Sequence, residues 1–242
     1  MEKTLTVYDD DFYKSNVASS APSAQTVYPL IHSQFSPRSV IDFGCGRGTW
    51  LNEAHKHGAL EVVGLDGVWN SQKQINSSIK FLDLKDHKVM RDRRFDLAIS
   101  LEVFEHLDLN FCDEIIDTMT RCADAIVFSA AFVNQRGTKH INEQYPSFWA
   151  KRFLAKGYCV YDFFRPQIWG NSKVDFCYQQ NMFIYVNKHS EIYKNGLEAY
   201  KMKNLAFMDC MHPEIYLYRS GRDAILDFKK NLVQVMKKRV FK

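Results

Sequence analysis

The chain has 242 residues, a length that suits one α/β domain with additions. Hydrophobic residues make up 46% and charged residues 25%, which is the composition of a globular protein and excludes a disordered or fibrous chain. The 32 basic and 28 acidic residues leave a net charge of +4, which disfavours a nucleic-acid-binding protein with a clustered basic face.

The cysteines and the apolar runs point to a cytoplasmic location. The six cysteines include no Cys-x-x-Cys pair, so the sequence predicts neither a zinc ribbon nor a thioredoxin-like motif. No apolar run approaches the roughly 18 residues of a membrane span. The first residues do not form a secretory signal. We therefore expect a cytoplasmic protein with reduced thiols.

In chain order, the pattern predicts three parts. Residues 1–34 are expected to form an N-terminal cap or lid, irregular as far as residue 22 and helical from about residue 24. Residues 35–190 alternate short apolar runs with helical patterns, which is typical of βαβ units and a parallel sheet. Residues 191–242 are expected to form a C-terminal helical extension, with an amphipathic helix over 221–239.

The central part contains seven predicted strands and three predicted helices. The last two strands are expected to form a closing pair at the edge of the sheet. The strands are predicted over 39–43, 62–66, 79–82, 95–100, 125–129, 158–163 and 182–186, and the helices over 49–57, 108–122 and 148–156.

A glycine-rich loop, residues 42–48 (DFGCGRG), follows the first strand and opens a helix. Its glycines permit a tight turn and a close approach of the backbone to a ligand, and the helix start leaves amide donors available. Asp66 ends the second strand, where a carboxylate can accept hydrogen bonds from ribose hydroxyls. Asp83 ends the third strand and could face an adenine amino group. The alternative for both aspartates is a turn-forming role.

Three segments resemble motifs of the class I S-adenosylmethionine-dependent methyltransferases: residues 40–48 (VIDFGCGRG), 81–84 (FLDL) and 95–107 (FDLAISLEVFEHL). The resemblance implies an α/β, Rossmann-like sheet of seven strands, mostly parallel with the last antiparallel, and helices on both faces. It also implies transfer of a methyl group from S-adenosyl-L-methionine. The cofactor-binding candidates are Asp42, Gly44, Cys45, Gly46, Gly48, Asp66, Gly67, Asp83, Leu84, Ser100 and Leu101. The GxGxG spacing disfavours a nicotinamide dehydrogenase.

A second constellation consists of Glu102, Glu105 and His106, and a helix would place these residues on one face. With His140 they would form a plausible site for a divalent metal such as Mg or Mn. The arrangement resembles the metal-dependent small-RNA terminal-ribose methyltransferases, whose metal activates a ribose hydroxyl. In many other class I enzymes the same motif holds no metal, and the residue at Glu102 contacts the methionine part of the cofactor. Glu102 and the two histidines are the catalytic candidates, and a histidine is the expected general base.

The segment 140–149 (HINEQYPSFW) and later polar and aromatic residues resemble a methyltransferase subgroup found with bacterial surface-polysaccharide and glycan genes. The resemblance implies a sugar, sugar-nucleotide or glycan acceptor. The acceptor-binding candidates are Asn142, Glu143, Gln144, Arg165 and Trp169. The alternative is that Trp149, Trp169 and Tyr178 pack the sheet edge or a homodimer interface.

The leading hypothesis is therefore an O-methyltransferase that acts on a sugar or glycan-linked hydroxyl in surface-polysaccharide biosynthesis. One alternative is a metal-dependent RNA ribose 2′-O-methyltransferase, which needs a basic groove that the small net charge disfavours. The other is a non-catalytic protein that keeps the cofactor pocket as a scaffold, which the intact glycine loop disfavours.

Overall fold

The computed structural model describes residues 10–67, 73–190, 196–213 and 216. Residues 1–209 form one compact unit and residues 210–242 form a second. The predicted division into residues 1–34, 35–190 and 191–242 stays a prediction. Among the described residues beyond 190, Met202 N donates to Val160 O (3.0 Å). The predicted helix over 221–239 lies outside the described residues.

A single seven-stranded sheet organises the first unit, in the order β3-β2-β1-β4-β5-β7-β6. β7 runs antiparallel to both of its neighbours and the other pairs are parallel. This confirms the predicted sheet and its closing pair. The strands are β1 Ser39–Phe43, β2 Glu61–Asp66, β3 Lys80–Asp83, β4 Leu97–Leu101, β5 Ala125–Ser129, β6 Tyr158–Tyr161 and β7 Phe183–Asn187.

Helices cover both faces of the sheet, which is why the central strands consist of continuous apolar runs. The helices are α1 Asp10–Phe35, α2 Thr49–Lys56, α3 Leu109–Cys122, α4 Pro146–Ala155, α5 Arg165–Ile168 and α6 Phe176–Asn181. One buried cluster contains side chains of α1, α2 and α6, and the other contains side chains of α3 and α4. Short 3-10 turns cover Leu84–Met90 and Phe104–His106. In the described ranges no helix is both long and apolar enough to span a bilayer.

The helix α1 begins at least as early as Asp10, so the expectation of an irregular segment is wrong for residues 10–22. Pro22 and Pro29 both lie inside it, although a proline in a helix interior costs about 3 kcal/mol. Packing outweighs that cost, because one face of α1 is fully buried against α2 and its neighbours. The buried residues of that face are Ala24, Val27, Tyr28 and Ile31.

Candidate active site

The glycine loop joins β1 to α2 at the carboxyl edge of the sheet, and its three glycines have φ angles of 90° (Gly44), 55° (Gly46) and 86° (Gly48). A side chain at Gly44 would overlap Val103, and one at Gly48 would overlap Ile79. A Cβ atom at Gly46 would meet nothing within 4 Å. Gly44 and Gly48 are therefore required by packing, whereas Gly46 leaves open space in which a cofactor can approach the backbone.

Asp66 holds this loop in place. Its Oδ2 accepts a hydrogen bond from Gly46 N and its Oδ1 accepts one from Gly67 N, both at 2.7 Å. Asp42 is buried nearby, and burial followed by the charge of Asp66 raises the pKa of its carboxyl well above the usual range. The predicted cofactor acids Asp42 and Asp66 thus lie together at the ends of neighbouring strands.

Other predicted cofactor residues support the same edge of the sheet. Ser100 Oγ donates to Phe43 O (2.8 Å) and ties β4 to β1. Cys45 is buried, and burial raises the pKa of its thiol. The side chain is therefore a protonated, uncharged thiol within the loop. Asp83 accepts from Lys85 N (2.9 Å) and caps the 3-10 turn that begins at Leu84. Asp83 therefore has the turn-forming role, and its contact with adenine stays a prediction.

Glu102 follows β4 directly and has a φ angle of 55°, a left-handed conformation that is uncommon for a non-glycine residue. Its N donates to Ser129 Oγ (3.1 Å) at the end of β5. Its carboxylate accepts from Gln135 Nε2 (2.9 Å) and Asn181 Nδ2 (3.1 Å). Burial raises the pKa of Glu102, and these hydrogen bonds oppose the increase.

The expected helical face shared by Glu102, Glu105 and His106 does not form. Phe104–His106 is a single 3-10 turn. Glu102 lies outside this turn, has a left-handed backbone, and its carboxylate accepts from Gln135 instead. The structure instead brings together Glu105, His106 and His140, whose potential ligand atoms lie within 4.8 Å of one another. Glu105 is 1% exposed, and burial followed by the charge of Glu102 raises the pKa of its carboxyl well above the usual range.

His140 is paired with Glu143, whose Oε1 lies 2.7 Å from His140 Nδ1. When Nδ1 donates to this carboxylate, Nε2 keeps a lone pair that can accept a proton. The ring of His106 packs edge-on against His140, with centroids 4.8 Å apart. Burial followed by the proximity of His140 lowers the pKa of His106 to about 4. An open pocket of about 480 Å³ adjoins this pair, lined by Arg136, Gly137, His140, Ile141 and Glu143.

The other predicted acceptor-binding residues form hydrogen bonds within the protein. Asn142 is buried, and its Nδ2 donates to Phe104 O (3.3 Å). Gln144 Nε2 donates to Asn142 Oδ1 (3.0 Å). The two amides therefore connect the segment 142–144 to the 3-10 turn that begins at Phe104. Arg165 is buried and donates to Asp162 (2.8 Å).

The aromatic candidates divide between packing and exposure. Trp149 and Tyr178 are buried in the two clusters that flank the sheet, as the packing alternative predicts. Trp169 is 41% exposed, and its ring lies 5.9 Å from the guanidinium carbon of Arg165. Trp169 thus remains the aromatic candidate that a ligand can reach most directly.

Sequence reasoning assigned no role to Gln135 or Asn181, although both bind Glu102. Gln135 lies between Asn134 and Arg136, which are both left-handed, in an irregular loop with no periodic signal. Asn181 ends the short helix α6 and reads in the sequence only as one polar residue among several. Their roles arise from tertiary contacts between segments that are 33 and 79 residues from Glu102.

The strand order, the glycine loop after β1 and the acid at the end of β2 define an S-adenosylmethionine-dependent methyltransferase. The open space at Gly46 and the clustered acids fit that cofactor. A methyltransferase domain family matches residues 21–166, and the chain belongs to this family.

Solved structures share this fold, and one curated relative matches part of the chain. An O-methyltransferase family protein from Burkholderia thailandensis superposes with a TM-score of 0.56 at 16% identity, covering 75% of this chain and 60% of that chain. A SAM-dependent methyltransferase from Archaeoglobus fulgidus gives 0.53 at 19% identity, covering 62% of this chain and 75% of that chain. The mitochondrial ubiquinone biosynthesis O-methyltransferase of Dictyostelium discoideum is 31% identical over 96 residues, a match that spans 32% of this chain and only 30% of that relative.

Proposed function

We propose that this chain transfers a methyl group from S-adenosyl-L-methionine to a hydroxyl of a sugar or glycan-linked acceptor, in surface-polysaccharide biosynthesis. The observation that carries the proposal is the His140–Glu143 pair, with Nδ1 and Oε1 2.7 Å apart, beside an open pocket. The Dictyostelium relative is an O-methyltransferase, which supports oxygen as the methylated atom. The sugar acceptor rests on the resemblance of residues 140–149 to glycan-associated methyltransferases.

The pair has the arrangement of a general base. S-adenosylmethionine supplies an activated methyl group, so the chain must orient the acceptor and remove its hydroxyl proton. Nε2 of His140 accepts that proton, while Glu143 holds the tautomer and stabilises the imidazolium. Because His106 has a pKa of about 4, it stays neutral near pH 7 and adds no second positive charge beside His140.

The pocket has side chains suited to a polyhydroxylated acceptor. Arg136 and Glu143 offer a donor and an acceptor for hydroxyl groups, and Ile141 is an exposed apolar residue beside them. Tyr145 is also exposed and belongs to the same loop, so an aromatic face is available for stacking on a pyranose ring. A site of this kind recognises a ring that carries both hydroxyl groups and apolar faces.

The test compares His140→Gln with His189→Gln, a matched substitution at an exposed histidine after β7. Release of S-adenosylhomocysteine is measured with sugars, sugar nucleotides and simple phenols as acceptors. We expect His140→Gln to lower kcat by about 100-fold or more with cofactor affinity unchanged, since a general base contributes that much. The His189 variant should match the wild type. Turnover of His140→Gln within about twofold of wild type would exclude the assigned base.

A second candidate is the metal-dependent ribose 2′-O-methyltransferase, favoured by the cluster of Glu105, His106 and His140. Glu105 Oε2 is buried and has no hydrogen-bond partner, and a carboxylate with two imidazoles is a suitable ligand set for a divalent ion. Glu102 is engaged elsewhere and would not complete the predicted set of four. Chelation followed by addition of Mg²⁺ or Mn²⁺, with RNA and sugar acceptors in parallel, distinguishes the two candidates: metal-dependent methylation of RNA would favour the second.

A further inference from the structure

The buried amide of Gln135 connects segments that lie far apart in the chain. Its Nε2 donates to Glu102 Oε2 (2.9 Å), and its Oε1 accepts from Asn181 Nδ2 (2.9 Å) and from Phe132 N (3.1 Å). Its backbone N also donates to Phe132 O (2.8 Å). Because one end of the amide donates and the other accepts, the network determines its orientation. The position of Gln135 is therefore tied to the residue that follows β4 and to the end of α6.

The next residue continues this connection to the histidine pair. Arg136 N donates to Glu143 Oε1, and the same oxygen lies 2.7 Å from His140 Nδ1. Two donors therefore share one oxygen, so a shift of the Arg136 peptide changes how strongly that oxygen interacts with His140. A continuous series of contacts thus runs from the Glu102 carboxylate, through Gln135 and the backbone of Arg136, to the imidazole of His140.

The backbone on both sides of Gln135 is strained. Asn134 and Arg136 have φ angles of 63° and 60°, in the left-handed region that non-glycine residues rarely adopt. Such conformations persist where the surrounding contacts determine them, and the hydrogen bonds of Gln135 supply contacts of this kind. A change at the Gln135 side chain should therefore alter the backbone of Arg136 directly.

Glu102 is the end of this series that lies on the cofactor side. Val103, the next residue, lies so close to Gly44 of the cofactor loop that a side chain at Gly44 would overlap it. A ligand bound beside the loop changes the charges and hydrogen-bond donors around the Glu102 carboxylate. Gln135 donates to that carboxylate, so its position responds to the ligand.

We propose that Gln135 is a positioning residue that couples occupation of the cofactor pocket to the geometry of the His140–Glu143 pair. This inference rests on the proposed function in taking His140 as the general base. The coupling orients Nε2 of His140 toward the acceptor when the methyl donor is bound, so the hydroxyl is deprotonated beside a methyl group that can be transferred. Since coupling between two sites is reciprocal, an acceptor that contacts His140 also strengthens cofactor binding.

Nitrogen-15 NMR of histidine-labelled protein tests the coupling without an acceptor. The resonances of His140 Nδ1 and Nε2 are recorded at one fixed pH, with and without saturating S-adenosylhomocysteine, and His140→Gln identifies them. A chelator is present throughout, so that no bound cation contributes. Gln135→Leu is compared with the wild type and with Gln167→Leu. Gln167 is the matched control because its amide also donates a hydrogen bond, to Phe163 O (2.7 Å), but lies outside the series.

We expect S-adenosylhomocysteine to shift the His140 resonances of the wild type and of Gln167→Leu. Gln135→Leu should lose most of that shift at saturation, because the contact with Glu102 is removed. No shift in the wild type, a full shift in Gln135→Leu, or an equal loss in Gln167→Leu would overturn the coupling. If Gln135→Leu does not fold, as judged by thermal melting, the nearly isosteric Gln135→Met decides.

The outcome is separable from that of the proposed function. Full turnover of His140→Gln would contradict the assigned base, and the NMR comparison would still show whether Gln135 connects the cofactor pocket to this histidine. A chain whose turnover depends on His140, but whose His140 resonances respond equally in the wild type and Gln135→Leu, would retain the proposed function and overturn the coupling.

Discussion

Replacing Gly46 with alanine should weaken cofactor binding in addition to destabilising the fold. Gly46 has a φ angle of 55° and donates its N–H to Asp66, yet the position of a Cβ there meets no atom within 4 Å. The free protein therefore accommodates the methyl group sterically. The backbone penalty is that of an L-residue in the left-handed region, about 1–2 kcal/mol.

The bound cofactor would meet the added methyl group directly. Overpacking of a well-fitted contact costs about 1–3 kcal/mol, which corresponds to a rise in Kd of roughly 5- to 150-fold. For a domain of this size, the backbone penalty lowers the melting temperature by roughly 2–4 °C for each kcal/mol. The prediction is thus a loss of stability of about 1–2 kcal/mol together with a separate loss of cofactor affinity, which the control variant does not share.

Gly58 provides the matched control, because its φ angle is 97° and a Cβ there also meets nothing within 4 Å. It ends the α2 region, beyond the cofactor loop. Gly58→Ala should destabilise the protein at least as much as Gly46→Ala and leave the Kd for S-adenosylhomocysteine unchanged. Calorimetry and thermal melting of both variants make the comparison. Equal affinities for Gly46→Ala and wild type would refute the reasoning that the cofactor contacts this backbone.

Three further predictions concern His106, Gly137 and Asp209. The pKa of His106 is lowered to about 4 in the fold, against 6.5 for the unperturbed group, so its neutral form contributes stability that is lost as the pH falls from about 6.5 to 4. Urea unfolding should show wild type losing about 3 kcal/mol relative to His106→Gln across that window. Gly137→Ala should lower kcat without changing cofactor affinity, because the new side chain would overlap the His140 ring; unaltered turnover would contradict this. Asp209→Ala should cost about 1–2 kcal/mol in the same unfolding assay, because Asp209 accepts from both N and Oγ of Ser147 at the start of α4; an unchanged midpoint would exclude a capping role.

The sheet and the cofactor loop could be predicted from the sequence because both depend on local signals. β1 and β5 have the predicted bounds, since each is an apolar run that ends in polar or glycine-rich residues. The loop follows from its glycines, and the position of Asp66 follows from the rule that strand ends in a parallel sheet meet at one edge.

The surroundings of Glu102 could not be predicted in the same way. Its motif is typical of a helix, but Glu102 N donates to Ser129 Oγ, and the amides of Gln135 and Asn181 donate to the Glu102 carboxylate. These contacts accompany a left-handed conformation at Glu102. These partners come from three separate segments, and no spacing in the chain connects them. The extension of α1 through Pro22 has a similar origin, because burial against α2 outweighs the local preference of the proline.

The central claim is that this chain binds S-adenosylmethionine in the loop around Gly46 and Asp66. Calorimetry with S-adenosylmethionine and with NAD, on wild type and Asp66→Ala, tests it most directly. The account predicts binding of S-adenosylmethionine near the micromolar range, no comparable binding of NAD, and loss of binding in Asp66→Ala, which removes the acceptor for Gly46 N. Absence of S-adenosylmethionine binding in the wild type, or a preference for NAD, would contradict the claim.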